Sequence, residues 1–229
     1  MGVTLTVIGF ADYVNLSTPD QDGHEMSVAI LDFLEKERNR VDDESLYALM
    51  AEAKKIGAIA DASKTDIWGD LRARVPEEMY PDRLVLRKGS PLLDYDTSDA
   101  GRVVSQAFRD LVEEFDPDVH QLVPTAVEDH DGTPLATHYF MRILRPINAI
   151  RTEGSNLQPV GLNSSRGDLA SLQVGLYSKF SVYADRIKGF GAWREMRSSQ
   201  HSFFSEALWQ RLQAAGLTGF EAYCRFDEY

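Results

Sequence analysis

The stretch from Arg102 to Ile150, RVVSQAFRDLVEEFDPDVHQLVPTAVEDHDGTPLATHYFMRILRPINAI, constrains the fold most, because helix, strand and turn signals follow one another in it without conflict. Val104, Phe108, Leu111, Val112 and Phe115 recur at helical spacing, and Ser105 is placed to accept an otherwise unpaired amide where the helix starts. Asp116-Pro117 halts it, since a proline disfavours helical geometry in the residue before it. His120 to Val127 then reads as a strand, Asp131-Gly132 as a tight turn, and Thr137 to Leu144 as the return strand. Such a stretch feeds one helix into an antiparallel hairpin.

The same shape recurs near the C-terminus. Ser205 caps a helix, Phe204 and Trp209 are placed as a hydrophobic staple, Leu208 and Leu212 face inward, and Gly216 ends it. Phe220, Ala222, Cys224 and Phe226 then alternate with Glu221, Tyr223, Arg225 and Asp227, the pattern of a half-buried strand. Two copies are too few to establish a repeat, but they point to helices packed on one sheet. Elsewhere, Val3 to Phe10 reads as a strand, and Ser27 to about Glu37 and Glu44 to Ile56 as paired helices; a further helix is possible from Ala60 to Val75. Arg83 to Arg87 reads as a short strand and Arg151 to Asp168 as a long surface loop; Leu172, Val174 and Leu176, then Phe180 and Val182, alternate as strands do. The expected architecture is α+β: a mainly antiparallel sheet covered by amphipathic helices, with an N-terminal helical hairpin. Residues 1–70 form an N-terminal strand and helical elaboration in this reading, and 71–229 the core.

Charge narrows the partners. The 24 basic and 36 acidic residues leave a net charge of -12, which repels nucleic acid and anionic membranes and attracts a cationic protein. The imbalance is local: residues 1–150 carry 28 acidic and 15 basic side chains, residues 151–229 carry 8 and 9. Cys224 is the only cysteine, so no disulfide framework forms within the chain. With no run of 18 apolar residues and no basic, apolar leader at MGVTLTVIGF, a reducing cytoplasmic location is expected.

No nucleotide loop, metalloprotease motif or nucleophile elbow is present, so no catalytic residue, metal or cofactor is assigned. Two acidic groups stand out. Asp110, Glu113, Glu114, Asp116 and Asp118 crowd the end of the first helix where its dipole is negative, a placement that costs each charge about 0.3 to 1 kcal/mol. They read either as a solvated face, with Arg109 pairing Glu113, or as a contact surface for a basic partner. Glu128, Asp129, His130 and Asp131, with His138 across the hairpin, form a metal-like cluster, although a tight turn wants polar residues at its tip in any case.

The runs VVSQAFRDLVEEFDPDVHQLVPTAV, YFMRILRPINAI and FFSEALWQRLQAAGLTGFEAY resemble a family of bacterial immunity proteins, immunity family eleven, encoded beside polymorphic or contact-delivered toxins. The likeness rests on Ser105, Pro124, Trp193-Arg194, Ser205, Gly216, Leu217, Thr218 and Gly219, and covers roughly Pro76 to Ile150 and Leu172 to Tyr229. It implies a non-enzymatic protein that neutralises a cognate toxin by stoichiometric contact. A basic toxin would meet Glu113, Glu114, Asp116, Asp118, Glu128, Asp129 and Asp131. Two other readings stand beside it: a metal-dependent or small-molecule enzyme working at the Glu128 to Asp131 tip with His138, and a secretion-system adaptor.

Overall fold

In a computed structural model of the chain, the described residues are 2–7, 16–19, 23–38, 73–160 and 171–229. The helix expected from Ser105 is entered directly from a strand. Strand β5 (Gly101–Ser105) passes into α2 (Gln106–Phe115) with Ser105 as the joint, its Oγ accepting from the Phe108 amide at 3.3 Å. Strand β14 (Ser198–Ser205) passes into α4 (Glu206–Ala214) in the same way, with Ser205 Oγ accepting from the Leu208 amide at 3.3 Å. A serine is suited to this joint because its backbone is still extended while its side chain already caps the helix.

Each joint belongs to a larger unit, and the two units have one topology. In the first, β4 (Tyr95–Ser98) pairs antiparallel with β5, and β6 (Gln121–Glu128) follows α2. β7 (Pro134–Arg142) inserts between β5 and β6, antiparallel to both, and β3 (Arg83–Leu86) runs parallel to β6. In the second, β13 (Ala192–Glu195) pairs with β14, β15 (Phe220–Glu228) follows α4, and β12 (Ser181–Val182) runs parallel to β15. The strand inserted between β14 and β15 is β1 (Gly2–Val7), from the far end of the chain.

The units close differently. In the first, β2 (Leu16–Ser17) pairs with β3 on one side and β4 on the other, completing the barrel β2-β3-β6-β7-β5-β4. In the second, a seven-stranded sheet, the outer strands are β8 (Pro146–Ile147) on β13 and β9 (Ile150–Arg151) on β12, so only Asn148 and Ala149 interrupt the ring. A short pair, β10 (Gln158–Val160) with β11 (Ser171–Gln173), lies apart. The remaining helices are α1 (Gly23–Arg38) and the single turn α3 (Ala184–Ile187), with a 3-10 turn at Glu77–Met79.

Strand alternation explains the cores. Val103, Val123 and Phe140 point into the first barrel beside Leu16 and Leu84, while Phe203, Cys224 and Phe226 point into the second unit beside Trp193 and Phe180. Their neighbours Val104 and Phe204 face the other way, into a core shared by both units that holds Phe108 and Val112 of α2 and Leu208, Trp209 and Leu212 of α4. Both helices therefore bury their apolar stripes in one place, a consequence of two sheets rather than the single covered sheet expected.

The chain is α+β with β structure dominant. The N-terminal helical hairpin is not seen: α1 matches the first expected helix, whereas Glu44 to Ile56 lies outside the described residues, as does most of Ala60 to Val75. The β1 strand sits inside the second sheet, between β14 and β15. Leu176, expected in a strand, lies in an exposed turn after β11.

Candidate functional site

The units grip each other through matching joints. After α2, the Asp116 carboxylate accepts from the Gly191 and Ala192 amides at the mouth of the second unit's hairpin, the latter at 2.7 Å. After α4, the Thr218 carbonyl accepts from the Tyr95 amide at 3.1 Å, and the Asp94 carboxylate accepts from the Thr218 amide at 2.8 Å, at the mouth of the first unit's hairpin. A glycine makes each approach possible. A Cβ on Gly191 would stand 2.6 Å from Phe115 Cβ, and one on Gly219, whose φ is +92°, would stand 2.2 Å from the Tyr95 carbonyl oxygen.

Asp116 was expected on the acidic surface; it is 1% exposed. Its carboxylate also receives Arg145 Nη1 and His120 Nε2, the latter at 3.2 Å. His120 Nδ1 accepts from the Leu144 amide, so the ring proton sits on Nε2 and donates to Asp116. Burial alone would raise the Asp116 carboxyl, but the bonds from His120, Arg145, Gly191 and Ala192 outweigh it and hold the pKa down at about 2. Its charge works inside the molecule.

The other expected contact residues divide between two places. Glu113 accepts from the Asp118 amide, Glu114 pairs with Arg211 of α4 at 3.0 Å, and Asp118 is exposed with φ at +58°. Glu128, Asp129 and Asp131 lie at the opposite end of β6, so about 25 Å of strand separates the groups. At that tip Asp129 pairs with His130 at 2.7 Å, and Asp131 Oδ1 accepts from the Thr133 amide at 2.9 Å. The His130 ring lowers the Asp129 carboxyl pKa, and the Thr133 side chain and amide lower that of Asp131. His138 is not there. It lies buried within β7, opposite Thr125, with Nε2 bonded to the Leu93 carbonyl, so the enzyme reading loses its histidine. Among the described residues, no three His, Cys, Asp or Glu side chains are grouped to hold a metal ion.

A feature absent from the expected site is a half-enclosed cavity of about 640 Å³ where the two units meet under α1. Arg102 of β5, Arg142 of β7 and Arg194 of β13 line it, with His201 and Tyr223 from the second unit. These residues are scattered along the sequence, and no local motif joins them.

Compared with known proteins, residues 28–224 match the model of the Immunity protein family (Imm11). The chain belongs to that family. The match reaches further toward the N-terminus than the resemblance in the sequence motifs and takes in most of α1. No curated protein matches the chain. Among the described residues, no helix is long and apolar enough to cross a membrane.

Proposed function

We propose that this Imm11 protein neutralises a cognate bacterial toxin by forming a one-to-one complex with it, without turnover of its own. Membership of the immunity family over residues 28–224 carries the reading. The net charge of -12 supports a basic toxin domain as partner, since opposite charge speeds encounter and can cover a cationic active site. The expected acidic residues available for contact are Glu114 and Asp118, exposed at the end of α2 beside the half-buried Glu113, and Asp131, exposed at the hairpin tip beside the half-buried Asp129 and Glu128. Asp116 is left out of that surface because its charge is spent internally. A polymorphic toxin delivered by a secretion system, met in the cytoplasm, fits this role.

The test is to co-express the chain with the toxin encoded beside it. Restored growth together with a one-to-one complex on a sizing column is the expected outcome. Protection without any complex, by an activity of the chain alone, would overturn it.

A further inference from the structure

The carboxylates of Glu113, Glu114, Asp129 and Asp131 are each engaged within the chain, with the Asp118 amide, Arg211, His130 and the Thr133 amide. Glu77 and Glu78 of the 3-10 turn and Asp82 before β3 are different. They are exposed and make no ion pair among the described residues. All three line a half-open pocket of about 480 Å³ on the first unit, beside Arg83, whose guanidinium is paired with Glu128 at 3.9 Å.

The pocket lies where two strands begin to pair. β3 runs parallel to β6 from Arg83 and Ala126 onward, and the Ala126 amide donates to the Asp82 carbonyl at 2.8 Å. Two residues earlier, where the ladder would take its next donor from β6, stands Pro124, which has no N–H. The pocket opens at that end. Pro19, Met26, Pro81 and the exposed Pro124 give it an apolar lining, and Tyr80 is fixed beside them by stacking on Phe140 with centroids 5.0 Å apart.

Unpaired carboxylates around such a lining repel an anion. Among the described residues they are not grouped to hold a metal ion. They suit a side chain with an aliphatic stem and a cationic head, since the stem covers apolar surface while the head meets carboxylate oxygens. We propose that this pocket receives an arginine or lysine projecting from the toxin domain, with its stem on Pro81 and Pro124 and its head among Glu77, Glu78 and Asp82. The inference rests on the toxin reading and adds an anchor to it. Charges at the rim of an interface act on encounter, whereas a cation enclosed in a pocket acts on dissociation.

The experiment measures binding of the purified toxin domain encoded beside the chain to the full chain and to three variants. These are Glu77→Gln with Glu78→Gln, Asp82→Lys, and Pro124→Arg, which brings a cation of its own to the pocket. All four positions are exposed, so Tm is expected to stay within about 2 °C of the parent. Each variant is expected to raise Kd about tenfold or more, chiefly through faster dissociation. The loss persists at about 0.5 M salt, where attraction between exposed charges is screened. Restored binding of Asp82→Lys to a toxin carrying an arginine-to-glutamate change would identify the seated residue. A parent complex whose dissociation is unchanged in the variants, or a loss that disappears at high salt, would overturn the pocket and leave the toxin reading standing. Weakening by Pro124→Arg alone, with both carboxylate variants unaffected, would be steric blocking and would also count against it. Absence of any complex with the parent would sink both readings together.

Discussion

The two units of this chain share a strand order but solve closure and packing by different chemistry. At positions equivalent by register, the first barrel holds Val103, Val123 and Thr125 where the second holds Phe203, Cys224 and Phe226. In the first, Leu16 pairs on both sides and completes the ring. In the second, the ring is broken at Asn148–Ala149, and the buried Glu195 carboxylate spans the break by accepting from the Ala149 and Ile150 amides at 2.8 and 3.0 Å. The joints differ too: one is a buried ion-paired carboxylate, Asp116, the other a half-exposed one, Asp94. Topology therefore does not dictate where charge is buried; the second unit and its joint to the first depend on buried carboxylates.

That difference is broken most severely at Asp116. Asp116→Ala leaves Arg145 with only the Ala192 carbonyl and two backbone amides without their acceptor, and removing one partner of a buried pair costs about 3 to 5 kcal/mol. For a chain of this size that lowers Tm by roughly 10 °C. Asp94→Ala removes the bonds to Thr218 at a site where water can replace them, for about 1 kcal/mol. Equal losses from the two substitutions would erase the proposed asymmetry. The pH dependence has a definite sign. The folded Asp116 pKa of about 2 lies below its ordinary 3.8, so its contribution is present above pH 3.8 and is lost as pH falls toward 2, a loss of about 2 kcal/mol. Acid unfolding of Asp116→Ala lacks that step.

Glu195 behaves in the opposite sense, which sharpens the comparison. Burial pushes its carboxyl up to about 7 although the Ala149, Arg197 and Ile150 amides all favour the charged form. A folded pKa above the ordinary 4.5 means the folded state holds the proton more tightly. The stabilisation is thus complete below pH 4.5 and is lost as pH rises through 7, about 3 kcal/mol in all. Glu195→Gln cannot titrate, so the difference in Tm between parent and variant is expected to change steadily from pH 4.5 to 7 and then level off. A constant difference over that range would show that Glu195 does not change charge there.

What the sequence made legible was local. The Ser105 and Ser205 caps, the Gly132 turn with φ at +84°, the Gly216 stop and the alternation from Phe220 to Phe226 all stand as read, because each depends on neighbours within a few residues. Strands β5 and β14 were hidden because each enters its helix with no turn residue between, so Val104 joined a helical stripe it does not belong to. Asp116 looked like surface because its partners Arg145, Gly191 and Ala192 lie 29, 75 and 76 residues away. The arginine-lined cavity was hidden for the same reason. Each of its arginines is unremarkable until the strands are paired.

The smallest structural effect, and the one that bears most directly on function, is expected at the exposed acidic ends of the first unit. Glu113→Gln with Glu114→Gln removes the charge that accepts from the Asp118 amide, while leaving an oxygen to accept there, and removes an ion pair to Arg211 whose partners are both 55% exposed. Exposed pairs are worth about 0 to 1 kcal/mol, and the loss is partly offset because both charges oppose the α2 dipole. Asp129→Asn with Asp131→Asn alters the other end of β6, about 25 Å away. If the end of α2 faces the basic toxin, the first pair of substitutions slows association several-fold at low salt and the second pair leaves it unchanged. The effect fades as salt brings the Debye length to about 10 Å near 0.1 M. The reverse pattern assigns the contact to the hairpin tip. Association unchanged by either pair at every salt concentration makes both clusters solvated faces and moves the toxin contact away from both of them.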